Sequence, residues 1–146
     1  KLLVQGQLPP QSGAPWGWEL FCSSKVLKNG AVSLDIDTTT VGLYPDSNRW
    51  DYALCYDSEV FYIEVHSATT SDVSIMLKKL EWLKTWLAGK APEINKLTTK
   101  TKQPYYWVQS SKCDIPKHMP QYRKVVQNKI FPMPIWDYSK ILKRGK

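Results

Sequence analysis

Residues 60–66 read Val60-Phe61-Tyr62-Ile63-Glu64-Val65-His66, a β-branched and aromatic run that carries a carboxylate and an imidazole near its end. Side chains alternate across a strand, so Phe61, Ile63 and Val65 share one face. Glu64 and His66 share the other, roughly 6–7 Å apart. Burying such groups unpaired is costly, which marks that face for a purpose. Upstream lies a second strand-like run, Trp50–Tyr56, and only Asp57-Ser58-Glu59 separates the two, which predicts a hairpin. Its register decides the neighbour of Asp51. Pairing Tyr56 with Glu59 sets Asp51 opposite Glu64, and pairing Asp57 with Val60 sets it opposite His66. A three-residue loop that pairs Tyr56 with Val60 sets it opposite Val65, off the polar face.

Two facing carboxylates suit a hard cation such as Mg²⁺ or Mn²⁺, with water and substrate phosphate filling the remaining positions. Asp51 and Glu64 are therefore the candidate metal ligands, with His66 on the same strand face as Glu64.

Outward from the hairpin, Ala31–Asp37 alternates Val32, Leu34 and Ile36 with polar residues and reads as a strand. From Ser71 to Ala88 the period changes. Val73, Met76, Leu80, Leu83 and Leu87 form a helical stripe, with Thr70 or Ser71 as cap and Gly89 and Pro92 as the stop. Lys90–Lys102 reads as a basic loop, Tyr105–Ser110 as a fourth strand, and a basic helix runs from His118 or Gln121 to Ile130. Trp16–Val26 is a candidate first helix behind an irregular arm, residues 1–15. The expected organisation is a single domain over 1–146, with a core over 16–131 and a basic tail over 132–146. The fold class is α/β, in the α+β sense of a mixed sheet: helix, antiparallel strands, helix, strand, helix.

Of the 146 residues 42% are hydrophobic and 23% charged, as in a folded globular chain. No apolar run approaches the roughly 20 residues of a membrane span, and neither a membrane partner nor a signal peptide is expected. Cys22, Cys55 and Cys113 have no metal-ligand spacing and read as three reduced thiols, in keeping with a cytoplasmic location. Charge is uneven. Residues 1–88 carry a net −3 and residues 89–146 a net +10, the asymmetry of a polyanion binder with a separate acidic site. Lys96, Lys100, Lys102, Arg123, Lys124 and Lys129 are the candidate nucleic-acid contacts. The aromatic residues of that half are read as core before stacking platforms.

An Asp at the head of one hairpin strand, a Glu-x-Lys triplet on the next and a helix directly after it resemble the core of the PD-(D/E)XK nuclease superfamily, the restriction-endonuclease-like fold. Asp51 matches the aspartate, Glu64-Val65-His66 the triplet, and Ser71–Ala88 the helix. Glu19 is the weakest carry-over, for a further glutamate on the first helix, and Asp46 rivals Asp51. The resemblance covers roughly residues 16–110 and departs at His66, where the family has its lysine. Some members supply that lysine from the next helix, where Lys78 and Lys79 stand about 10 Å from the helix start.

The resemblance implies a metal-dependent endonuclease that hydrolyses phosphodiester bonds of DNA with Mg²⁺ or Mn²⁺. Catalysis would rest on Asp51, Glu64 and His66. A homodimer is one arrangement it implies, since many relatives dimerise to cut two strands. The alternative is a catalytically degenerate scaffold of the same fold that binds nucleic acid or a protein partner.

Overall fold

The computed structural model describes residues 31–56 and 58–144. The expected arm, the expected first helix, Glu19 and Cys22 lie outside them. Four strands form one mixed sheet in the order β1-β2-β3-β4: β1 Ala31–Asp35, β2 Tyr52–Tyr56, β3 Glu59–Thr69 and β4 Tyr105–Asp114. The first three are an antiparallel meander, and β4 returns parallel to β3. Parallel neighbours need a long crossover, supplied here by α2 Asp72–Gly89 and α3 Pro92–Leu97. Helix α1, Ile36–Thr40, follows β1; α4, Pro120–Gln127, and α5, Tyr138–Arg144, complete the architecture. The mixed α/β class is that expected.

Several boundaries differ from the sequence reading. The alternation after Leu34 ends in α1, because the Asp35 carboxylate accepts from the Thr38 amide at 2.9 Å and caps a helix. Part of the expected Lys90–Lys102 loop is α3, started by Pro92 in the first turn, where its missing N–H costs nothing. Ser71 makes no side-chain capping bond at the start of α2. Instead the Asp72 carboxylate reaches back to the Thr69 amide and hydroxyl at 2.8 and 2.7 Å. Cys55 is buried and disulfide-bonded, against the expectation of a reduced thiol, whereas Cys113 is free.

Both faces of the sheet are covered, as the apolar run at Val60–Ile63 demands. On one face Val60, Tyr62 and Trp107 meet the stripe Val73, Met76, Leu80, Leu83 and Leu87 of α2, with Ile94 of α3 and Val125 of α4 alongside. The opposite face buries Leu54, Phe61, Ile63, Tyr106 and Val108 under Trp136, Tyr138 and Ile141. The aromatic residues Tyr106, Trp107, Trp136 and Tyr138 of the basic half are thus core. Met133 exchanges backbone bonds with Trp107 and Gln109 at 2.9 Å each and covers part of the outer edge of β4. None of the described helices is long and apolar enough to cross a membrane.

Candidate active site

The hairpin takes the first of the three registers. Tyr56 pairs with Glu59 and Tyr52 with Ile63, so Asp51, one residue before β2, stands opposite Glu64. Ser58 sits at φ 64°, in the left-handed region that a two-residue hairpin turn requires. Asp51 is fixed from several directions. Its carbonyl accepts from the Ile36 and Asp37 amides at 2.8 and 3.3 Å, which ties it to the start of α1. Its Oδ2 accepts from the Val65 amide at 3.0 Å, and its own amide donates to Glu64 Oε1 at 3.0 Å.

One oxygen of each carboxylate is therefore held by a backbone N–H, and the other oxygens converge on a single cation. Lys79 Nζ lies 2.6 Å from Glu64 Oε2 and 3.9 Å from Asp51 Oδ1. Lys79 is brought there by the crossover. From Asp72, α2 runs back over β3, and seven residues of helix cover about 10 Å of the roughly 17 Å from Thr69 back to Glu64. The lysine side chain spans the remainder. In helical projection Lys79 flanks the buried stripe between Met76 and Leu83, whereas Lys78 is exposed. A lysine on the edge of an apolar stripe was the sequence signal for this role.

His66 shares the strand face of Glu64 but is engaged elsewhere. Its Nδ1 lies 2.9 Å from the Ser67 carbonyl and 3.7 Å from Asp72 Oδ1, at the start of α2. Lys79, rather than His66, is the basic group that the structure brings against the two carboxylates. Asp46, the rival aspartate, is exposed in the loop before β2. That loop is held by Arg49, which donates to Asp37 Oδ1 and the Tyr44 carbonyl at 2.6 Å each.

Glu64 is fully buried. Loss of hydration and the neighbouring Asp51 charge push its carboxyl up to about 8, against the downward pull of Lys79. Burial also raises Asp51, partly opposed by its bond from the Val65 amide and by Lys79. The folded protein thus holds a proton on Glu64 across a range where the unfolded chain, at about 4.5, has lost it. This contribution to stability is fully present below pH 4.5 and lost as pH rises toward 8, at up to about 1.4 kcal/mol per pH unit. Urea unfolding of wild type and Glu64→Gln between pH 5 and pH 8 checks it. The variant should show a flatter slope; parallel slopes would mean that Glu64 titrates normally.

Among the described residues no three His, Cys, Asp or Glu side chains cluster as a metal cage. The donor set is two carboxylates, with a lysine ammonium already seated between their free oxygens. A pair of this kind fits Mg²⁺ or Mn²⁺, which bind through one or two carboxylates and complete their shell with water and phosphate.

The candidate phosphate-binding residues fall into three groups. Lys102 is occupied: its Nζ lies 2.6 Å from Glu59 Oε2 and is largely buried. Lys96 is exposed and lies 3.6 Å from Glu93. Arg123 and Lys124 are exposed on α4, while Lys100 and Lys129 line a cavity at the start of β4. Compared with known proteins, the chain matches no family model, no curated protein and no solved structure.

Proposed function

We propose that this chain is a metal-dependent nuclease that hydrolyses phosphodiester bonds of DNA, of the PD-(D/E)XK kind in which the lysine comes from the helix after the Glu strand. The observation that carries this reading is the convergence of Asp51 Oδ1, Glu64 Oε2 and Lys79 Nζ from three separate segments. Further support comes from the meander β1–β3 and its crossover to a parallel β4, and from the net +10 of residues 89–146.

Asp51 and Glu64 would hold the ion, which supplies positive charge to a phosphoryl oxygen and acidity to a water. The backbone amides of Val65 and Asp51 orient the two carboxylates before any ligand arrives. Lys79, a donor on a long flexible stem, would turn from Glu64 to the phosphate and offset the charge that develops there. Lys and Arg of the C-terminal half would hold the backbone of the nucleic acid, with affinity that falls steeply with salt.

Calorimetric titration of Mn²⁺ into wild type and Glu64→Ala, beside cleavage assays on plasmid and oligonucleotide DNA, tests the proposal. Binding and cleavage should both depend on Glu64. Because the cation displaces a proton from Glu64, its affinity should rise up to about tenfold per pH unit below pH 8. The second reading, a scaffold of this fold without catalysis, draws on the closed 2.6 Å contact of Lys79 with Glu64, which already neutralises the pair. Salt-dependent DNA binding with neither Mn²⁺ binding nor cleavage would favour it.

A further inference from the structure

We propose that the cavity at the start of β4 is a phosphate-binding pocket, separate from the carboxylate pair, formed by Lys84, Lys100 and Lys129. The cavity has a volume of about 450 Å³, within the range of small-ligand sites. It is lined by Lys84 of α2, by Lys100–Tyr105 and by Asn128 and Lys129 after α4. Four lysines border it, and one is neutralised. Glu59 takes Lys102 at 2.6 Å and also accepts from the Thr99 and Thr101 hydroxyls at 2.8 and 3.3 Å. Burial pushes Glu59 up, but these bonds outweigh it and hold the carboxyl below its usual range, so it stays a committed anion. Among the described residues no acidic side chain pairs with Lys84, Lys100 or Lys129. Three ammonium groups around one cavity repel one another and call for an anion.

The walls are tied together before any ligand binds. The Gln103 side-chain amide donates to the carbonyls of Tyr105 and Lys129, and so bridges the segment before β4 to the segment after α4. Lys129 itself is held at φ 56°, a left-handed conformation that a non-glycine residue adopts at some cost and that aims the chain after α4. Tyr105 decides the ligand chemistry. Its ring stacks on Tyr62, with centroids 5.6 Å apart, and carries the Lys84 ammonium 5.3 Å from its centroid. A ring engaged in this way is no platform for a base, so the pocket suits phosphate groups rather than nucleobases.

The pocket lies on the other flank of α2 from the carboxylates. Lys84 stands five residues beyond Lys79, roughly 140° around the helix and 7.5 Å along it. The two sites therefore take different phosphates of an extended ligand. This deepens the nucleic-acid reading and rests on it for the identity of that ligand.

The test compares wild type, the triple variant Lys84→Gln, Lys100→Gln, Lys129→Gln, the charge-preserving triple change of the same residues to Arg, and Glu64→Gln. Fluorescence anisotropy would follow binding of duplex and single-stranded oligonucleotides as a function of NaCl. Calorimetry would follow inorganic pyrophosphate. The Gln triple should lose about tenfold or more in affinity, and its salt slope should fall by about 0.9 for each duplex phosphate given up, or about 0.7 on a single strand. The Arg triple should restore both. Glu64→Gln, altered at the carboxylates and not in the pocket, should bind with the affinity and slope of wild type; absence of cleavage by wild type itself would sink the catalytic reading and leave the pocket standing. Loss in the DNA arm assigns a backbone phosphate, and loss with pyrophosphate alone assigns a small polyphosphate; either supports the pocket. Wild-type binding by the Gln triple in both arms, or no binding by wild type in either, overturns it.

Discussion

Glu64→Gln and Asp51→Asn are each expected to lower Mn²⁺-dependent DNA cleavage by about 10³-fold, equivalent to roughly 4 kcal/mol of transition-state stabilisation. Both substitutions preserve shape and keep an oxygen in place. In Glu64→Gln the side-chain carbonyl oxygen can still accept from the Asp51 amide, and in Asp51→Asn the corresponding oxygen can still accept from the Val65 amide. The bonds that orient the two side chains therefore survive. What is lost is the negative charge that would hold the cation. DNA affinity should stay within about twofold of wild type, because the phosphate-binding lysines belong to other segments. For Glu64→Gln the fold should gain stability at pH 8, since a carboxylate that resists ionisation has been removed. A rate unchanged in both variants, measured beside an active wild type, would show that the carboxylates do not take part.

Lys79→Met should cost about 2–3 kcal/mol of unfolding free energy at pH 9, where wild-type Glu64 is ionised beside Asp51 and the variant lacks their counter-charge. The loss should shrink as pH falls below 8, where Glu64 takes up a proton and no longer needs the ammonium. Mn²⁺ should restore part of it at pH 8, as a ligand that binds only the folded state. A double-mutant cycle of Lys79→Met with Glu64→Gln, read by urea unfolding, should give a coupling of at least about 2 kcal/mol. His66→Gln is the control. His66 meets Asp72 at the long distance of 3.7 Å and touches neither carboxylate of the pair, so its removal should cost no more than about 1 kcal/mol and show no coupling to Glu64. Equal effects of the two substitutions on cleavage would restore His66 to the role proposed above for Lys79.

Much of the fold was legible because its signals are local. Alternation along Val60–His66, the change of period at Ser71 and the short link Asp57-Ser58-Glu59 define strand, helix and hairpin without reference to distant residues. The same local rules placed Glu64 and His66 on one face and left three registers open for Asp51. Register depends on the turn conformation and on the burial of both faces together, and the structure selects the pairing of Tyr56 with Glu59. Short helices escaped for a related reason. In α1 and α3 a capping carboxylate and a leading proline outweigh a pattern too short to show a period.

The sequence by itself determined the α/β class, the inward stripe of α2, the shared strand face of Glu64 and His66 and the accumulation of positive charge after residue 88. Only the tertiary structure decided which cation meets the carboxylates, because that depends on how far α2 travels back over β3 before Lys79 comes above Glu64. It likewise decided which lysines remain available to an anion. Lys102 is consumed by Glu59, 43 positions away in the chain, while Lys84, absent from the residues singled out by sequence, joins Lys100 and Lys129 around one cavity. Charge is written along the chain, but its partners are set by contacts between residues far apart in it.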